Sequence, residues 1–183
     1  MYYFIRHGET NLNALGIINA FDTPLNERGH IQVAEAAQFF KDKNIKKIYS
    51  SDTIRTLQSA EIINRVANLG LEIIPDARLC EVGLGKFEGN TKEHDIIPLY
   101  KDPIKHGIEP MESVYNRARS FLDSIKATED IIIVCHGGIM HLFKYASIEN
   151  EFNPKSLHKL FINNPTGYKN AEILITLQAG APQ

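Results

Sequence analysis

The sequence predicts an α/β protein: a three-layer α/β/α sandwich around a mostly parallel central sheet. Three observations carry that expectation. Short apolar, β-branched runs alternate with stretches of helical periodicity along most of the chain. The run Ile131-Ile132-Ile133-Val134 has no polar interruption and reads as a strand buried on both faces. No internal repeat or low-complexity tract divides the 183 residues, a length that suits one domain with one sizeable core.

The elements follow in order. Tyr2-Tyr3-Phe4-Ile5 is a first strand. Residues 31–41 space Ile31, Ala34, Ala37 and Phe39-Phe40 as a helix, with Gly29 ahead of it and Asp42-Lys43-Asn44 as a polar stop. Lys47-Ile48-Tyr49-Ser50 is a second strand. A helix runs from about Thr53 through Ile54, Leu57, Ala60 and Ile62-Ile63 to a stop at Gly70. Leu71-Glu72-Ile73-Ile74 is a third strand, closed by Pro75. Residues 82–110 carry four glycines and three prolines and read as loop with one short helix, a pattern common in binding loops and lids. Val114, Ala118, Phe121-Leu122 and Ile125 restore helical spacing over 111–126. After the strand at 131–134, Ile139–Ala146 is helical. His158–Ile162 and Glu172–Leu177 look like final strands, and the tail from Ala179 is expected to fray.

Composition narrows the class. A net charge of −2 argues against a nucleic-acid partner, which usually selects a basic excess. No apolar run approaches the roughly 20 residues that span a bilayer, and Arg6 and His7 interrupt any leader-like stretch. Cys80 and Cys135 are too few for a disulfide framework or a zinc site and are expected to be reduced, buried thiols. These readings point to a cytoplasmic protein, a monomer or homodimer.

The chemistry-bearing residues gather at expected strand ends. The first strand runs into Arg6-His7-Gly8-Glu9-Thr10, and the strand at 131–134 into Cys135-His136-Gly137-Gly138. Ligands of open α/β sheets bind at the carboxyl edge, where glycine admits close backbone approach and helix N-termini favour anions. Imidazole is a good nucleophile, and arginine is the side chain best suited to phosphate. Arg55, on the first turn after Ser50-Ser51-Asp52-Thr53, points back toward the same edge; the alternative is a surface ion pair with Glu61 or Asp52. The third strand leads through Arg78-Leu79-Cys80 to Glu81. A metal site on His7 and His136 is disfavoured, because the arginines repel a cation and no carboxylate cluster accompanies the histidines.

These motifs in this order resemble the histidine phosphatase superfamily, with its phosphoglycerate mutase-like fold. The likeness takes in Arg6-His7-Gly8-Glu9-Thr10 with Asn13, Asp22, Pro24-Leu25-Asn26 and Gly29. It continues through Ser50-Ser51-Asp52 with Arg55-Thr56 and Ala60, Leu79 with Glu81, Gly85, and Phe87-Glu88-Gly89. It ends with Glu112-Ser113, Arg117, and Val134 with His136-Gly137-Gly138. The resemblance implies one domain over 1–183 with a short cap at about 90–110. It implies a phosphohistidine on His7 and Glu81 as proton donor. Arg6, Arg55 and His136 would hold the phosphate and serve catalysis, with Asn13 and the Gly137 amide as further phosphate contacts. The arginines and His136 would keep His7 neutral, as a nucleophile must be. No cofactor and no metal are implied.

Only about twenty residues separate Gly89 from Glu112, where mutases of the family carry a longer insertion. Hydrolysis of a small phosphorylated metabolite is therefore expected over mutase-type transfer. Family analogy offers nucleoside phosphates, sugar phosphates and phosphoglycolate-like acids as substrates. A protein phosphohistidine phosphatase would lack a match to Glu81, and a non-catalytic phosphate-binding scaffold would be expected to lose His7 or Glu81. Lys92, His94, Tyr100, Lys101, Lys105 and His106 are candidates for contacting the rest of the substrate, although a solvated loop accounts for most of them. Two departures bear on the substrate. Gly16-Ile17-Ile18-Asn19-Ala20 stands where the family often has arginine, glutamine and glycine, and His141 stands where arginine is frequent.

Overall fold

The computed structural model describes residues 1–19, 22–90, 103–125, 128–149, 151–156 and 168–176. Five strands form one sheet in the order β3-β2-β4-β1-β5. β1 is Tyr2–Arg6, β2 Ile45–Ser50, β3 Ile73–Pro75, β4 Asp130–Cys135 and β5 Ile173–Thr176. All neighbours pair in parallel except β5, which runs antiparallel along the outer side of β1. The expected α/β class with a mostly parallel sheet is therefore observed. The helices are α1 (Asn11–Ala14), α2 (Glu27–Ala37), α3 (Ile54–Val66), α4 (Pro103–His106), α5 (Met111–Ser124) and α6 (Gly137–Ala146).

Alternation along β1 divides the core between the two faces of the sheet. Tyr2 and Phe4 join Ile131 and Ile133 under α5 and α6, while Tyr3 and Ile5 join Ile132 and Val134 under α2 and α3. α5 presents Val114, Tyr115, Ala118 and Phe121, spaced on one helical face. Phe143 of α6 stacks on Phe4 at 4.8 Å and on Phe121 at 5.8 Å. Both faces of β4 are sealed, as its unbroken apolar run requires.

Helix α2 begins four residues earlier than its apolar spacing suggests. Asn26 caps it, its side-chain oxygen accepting from the Gly29 amide at 2.7 Å. Gly29 thus lies inside the helix rather than ahead of it. A Cβ there would meet the Glu9 carbonyl oxygen at 2.1 Å, and one on Gly8 would meet Gly29 oxygen at 2.4 Å. The two glycines let α2 rest directly on the loop that follows β1. The turn α1 carries no buried residue, so no apolar pattern announced it.

β3 starts at Ile73, not Leu71, and α3 ends at Val66, before Gly70. The short helix expected within 82–110 is α4. The proposed strand at 158–162, most of the proposed cap, including Lys92, His94, Tyr100 and Lys101, and the tail from 177 lie outside the described residues. Among the described residues no helix is long and apolar enough to cross a membrane.

Candidate active site

Strand register assembles the site. Arg6 pairs with Cys135 on parallel neighbours, so the next residue of each strand, His7 and His136, stand side by side. Their rings meet edge to face, with centroids 5.2 Å apart. β2 flanks β4 with Ser50 opposite Val134, and the Ser51 amide donates to the Val134 carbonyl at 2.9 Å. Ser51 is thereby brought beside His136. Helices α2 and α3 cover one face and α5 and α6 the other, so the connections leaving β1 and β4 part to opposite sides. The crevice between those two carboxyl ends is where such sheets bind ligands.

His7 is buried, and its Nδ1 lies 2.7 Å from the Gly8 carbonyl oxygen. A carbonyl only accepts, so Nδ1 carries the hydrogen and the neutral ring holds its lone pair on Nε2. The loop is anchored on both sides. Ser59 accepts from the Gly8 amide at 3.2 Å and donates to the Arg55 carbonyl at 2.7 Å. Asn170 donates to the His7 carbonyl and to Asn13 Oδ1, each at 3.2 Å.

Two arginines flank the histidines. Arg55, on the first turn of α3, is 4% exposed, and its Nη2 lies 3.4 Å from His136 Nδ1. It is therefore not the surface ion pair considered as its alternative. Arg6 donates from Nη1 to the Tyr168 carbonyl, while its buried Nε has no hydrogen-bond partner among the described residues. Burial pulls both guanidinium groups down from their ordinary pKa, and Glu81 partly offsets this. Guanidinium starts so high that both remain charged at neutral pH. A buried Arg55 and a half-buried Arg6 with an orphaned buried donor form an anion site, since an unpaired buried donor is costly. His136 is held well below its ordinary pKa by burial, then by His7, Arg55 and Arg6, and is neutral here.

Glu81 does not sit at a strand end as expected. It follows β3 by six residues, after a 3-10 turn at Ala77–Leu79. Arg117 of α5 fixes it there. Its guanidinium donates to the carbonyls of Arg78 at 2.8 Å, Cys80 at 2.7 Å and Glu81 at 3.0 Å, and pairs with both oxygens of Glu109 at 2.8 and 2.9 Å. The Glu81 carboxylate lies on the N-terminus of α6. Oε2 accepts from the Gly138 amide at 3.0 Å; Oε1 accepts from Ile139 at 2.8 Å and Val82 at 3.0 Å.

The structure therefore brings Arg6, His7, Arg55, Glu81, His136 and Gly137 together. Gly137 lies against Arg6, where a Cβ would come 3.3 Å from Nε. Among the described residues Asn13 reaches this group through Asn170 and the His7 backbone. Sequence reasoning missed Ser51 and Asn170 as partners of the histidines, and it saw Arg117 only as a family motif. Ser51 was legible in part, since it directly follows a strand. Of the substrate-bearing departures, Asn19 accepts from Thr10 Oγ1 at 2.6 Å, and the buried His141 ring packs on Tyr168 at 4.8 Å. Cys135 is a buried thiol as expected, but Cys80 is only half-buried.

Gly138 has no positive φ, so alanine suits its backbone; the obstacle is Glu81, whose Oε1 would lie 2.6 Å from the new Cβ. Gly138→Ala is expected to keep the fold by circular dichroism yet displace the carboxylate. A misplacement near 1 Å lowers kcat for alkyl phosphates by about 100-fold. An unchanged kcat would show that the placement of Glu81 is immaterial.

The fold and this cationic, histidine-lined edge are those of an enzyme that handles phosphate groups. The sequence profile of the histidine phosphatase superfamily (branch 1) matches residues 2–169, and the chain belongs to that superfamily. A Hydrogenobacter thermophilus protein provisionally named phosphoserine phosphatase 2 is 32% identical over 168 residues, covering 82% of each chain. A 2,3-bisphosphoglycerate-dependent phosphoglycerate mutase of Thermoplasma acidophilum is 32% identical over 138 residues, 72% of this chain and 68% of that one. A mycobacterial glucosyl-3-phosphoglycerate phosphatase, solved with VO3, shares the fold at a TM-score of 0.76 and 23% identity, covering 94% of this chain and 88% of that one.

Proposed function

We propose that the chain, acting as one domain over 1–183, hydrolyses small phosphomonoesters without a metal or cofactor, through a phosphohistidine on His7. Phosphoester hydrolysis fits its superfamily and its phosphatase relatives. The observation that carries the residue assignment is the His7 Nδ1 bond to the Gly8 carbonyl, which leaves Nε2 as the lone-pair nitrogen in a site that also holds the half-buried Arg6 and the buried Arg55.

Two half-reactions follow. His7 Nε2 attacks phosphorus, the ester P–O bond breaks, and a protonated Glu81 gives its proton to the departing alkoxide. Arg6 and Arg55 hold the non-bridging oxygens and offset charge in the transition state, His136 steadies Arg55 through Nδ1, and the Gly137 amide and Asn13 are outer contacts. Water then attacks phosphohistidine, Glu81 takes its proton, the P–N bond breaks and phosphate leaves. The carboxylate resting on the α6 amides is the form that serves this second step.

The short segment between Gly89 and Glu112 favours hydrolysis over mutase-type return transfer, because water is less well excluded. The substrate is a small phosphate ester rather than a protein phosphohistidine, because Glu81 suits alkoxide leaving groups. We place the enzyme in the cytoplasm, as a monomer or homodimer without nucleic-acid or membrane partners. Assay of the purified protein on a panel of phosphate esters in chelator is expected to release phosphate from at least one small alkyl ester. Interconversion of phosphoglycerates without phosphate release would overturn hydrolysis. Activity lost in chelator and restored by metal would overturn metal independence.

A further inference from the structure

Behind His136 lies a line of side chains that the two half-reactions do not use. His136 Nε2 is 3.0 Å from Ser51 Oγ. Ser51 Oγ donates to Cys80 Sγ at 3.5 Å, and Cys80 Sγ donates to Asp52 Oδ1 at 2.9 Å. Chemistry sets the direction of each bond. Arg55 Nη2 can only donate, so His136 Nδ1 accepts from it. A neutral imidazole then keeps its hydrogen on Nε2 and gives it to Ser51. The serine hydrogen goes to sulfur, and the thiol hydrogen goes to the carboxylate. The line runs one way, from a buried ring to a half-buried anion.

We propose that Cys80 is a positioning residue for His136: with Ser51 and Asp52 it holds the ring with Nε2 protonated and Nδ1 accepting from Arg55, and so steadies that guanidinium at the phosphate site. The phosphate site is that of the preceding section, on which this inference rests. The opposite tautomer would aim an N–H at the hydrogens of Arg55 and draw the single Ser51 hydrogen away from Cys80 to the ring. The groups that act on His136 from neighbouring elements are His7, Arg55, Arg6 and Arg117, all cationic or able to become so. Asp52, reached through Cys80, supplies the opposite charge at the far end of the line. Burial, then the bond to Asp52, pushes the Cys80 thiol above its ordinary pKa. It is thus a hydrogen-bond donor rather than a reactive thiolate.

The test combines two readouts on the full-length protein. Long-range 1H–15N spectra of 15N-histidine-labelled protein report the His136 tautomer without substrate, and steady-state kinetics on para-nitrophenyl phosphate separate kcat from KM. Wild type is expected to show His136 with hydrogen on Nε2. Cys80→Ala and Asp52→Asn are expected to mix the tautomers and lower kcat about tenfold, in line with loss of a residue that orients a functional histidine, with little change in KM. Cys80→Ser, which keeps a donor, is expected to retain the wild-type tautomer and most of kcat. Should Cys80→Ala fail to fold, Asp52→Asn carries the test, its side chain being half-exposed. The inference is overturned if wild type holds the other tautomer, or if either readout stays unmoved in the folded variants. Wild-type protein inactive on every ester, with the tautomer still lost in Asp52→Asn, would refute the hydrolase reading and leave the hydrogen-bond line standing.

Discussion

His7→Ala is expected to abolish phosphate-ester turnover, by a factor on the order of 10⁴ to 10⁶, as removal of a covalent nucleophile does. The loss should fall on chemistry and not on binding. His7 stands at the end of a strand whose partners and register are unaffected by the side chain, and Arg6 and Arg55 remain to hold an anion. The variant should therefore still bind inorganic phosphate or vanadate. Rapid quenching of wild type with labelled substrate should trap an acid-labile, base-stable phosphoprotein, absent from His7→Ala. Residual turnover above about one hundredth of wild type, far more than nucleophile loss allows, would show that another group attacks phosphorus. Wild-type protein that binds phosphate but turns over no ester would make the chain a phosphate-binding scaffold.

Glu81→Gln carries the second large effect, and its signature is selectivity. General acid catalysis contributes roughly 10² to 10⁴-fold, most where the leaving group most needs a proton. Alkyl phosphates should lose that whole factor. Para-nitrophenyl phosphate, whose phenolate leaves readily, should lose far less in the first step, and hydrolysis of phosphohistidine should then limit its rate. Glutamine keeps the size of the side chain but has one acceptor oxygen where the carboxylate uses two. One of the Gly138 and Ile139 amides must then face an NH2. Equal losses for both leaving groups would point to that misplacement rather than to proton transfer. Asp in place of Glu81 separates the two effects, since it restores the acid on a shorter arm.

How much of this was legible in the sequence depends on the range of the interaction. β1 and β4 announced themselves because burial on both faces demands near-continuous apolar runs. The start of α2 was hidden for the opposite reason. Its first turn carries no apolar stripe, and Gly29 looks like a breaker until its closeness to Glu9 is seen. Glu81 was found by motif and misplaced in the fold, since its position depends on Arg117 reaching across from a helix 36 residues later.

The sequence by itself determined the layer architecture, the residues able to handle phosphate, and the order in which strands deliver them. Local rules suffice for that, because periodicity and strand-end chemistry are properties of short segments. Only the tertiary structure decided which of these groups meet and in what protonation state. Parallel register set His7 beside His136 and brought Ser51 behind it. The fixed directions of carbonyl and guanidinium hydrogen bonds then chose the tautomer of each ring. Those contacts join residues from three separate stretches of the chain, and no spacing within any one of them encodes the direction of a hydrogen bond to another.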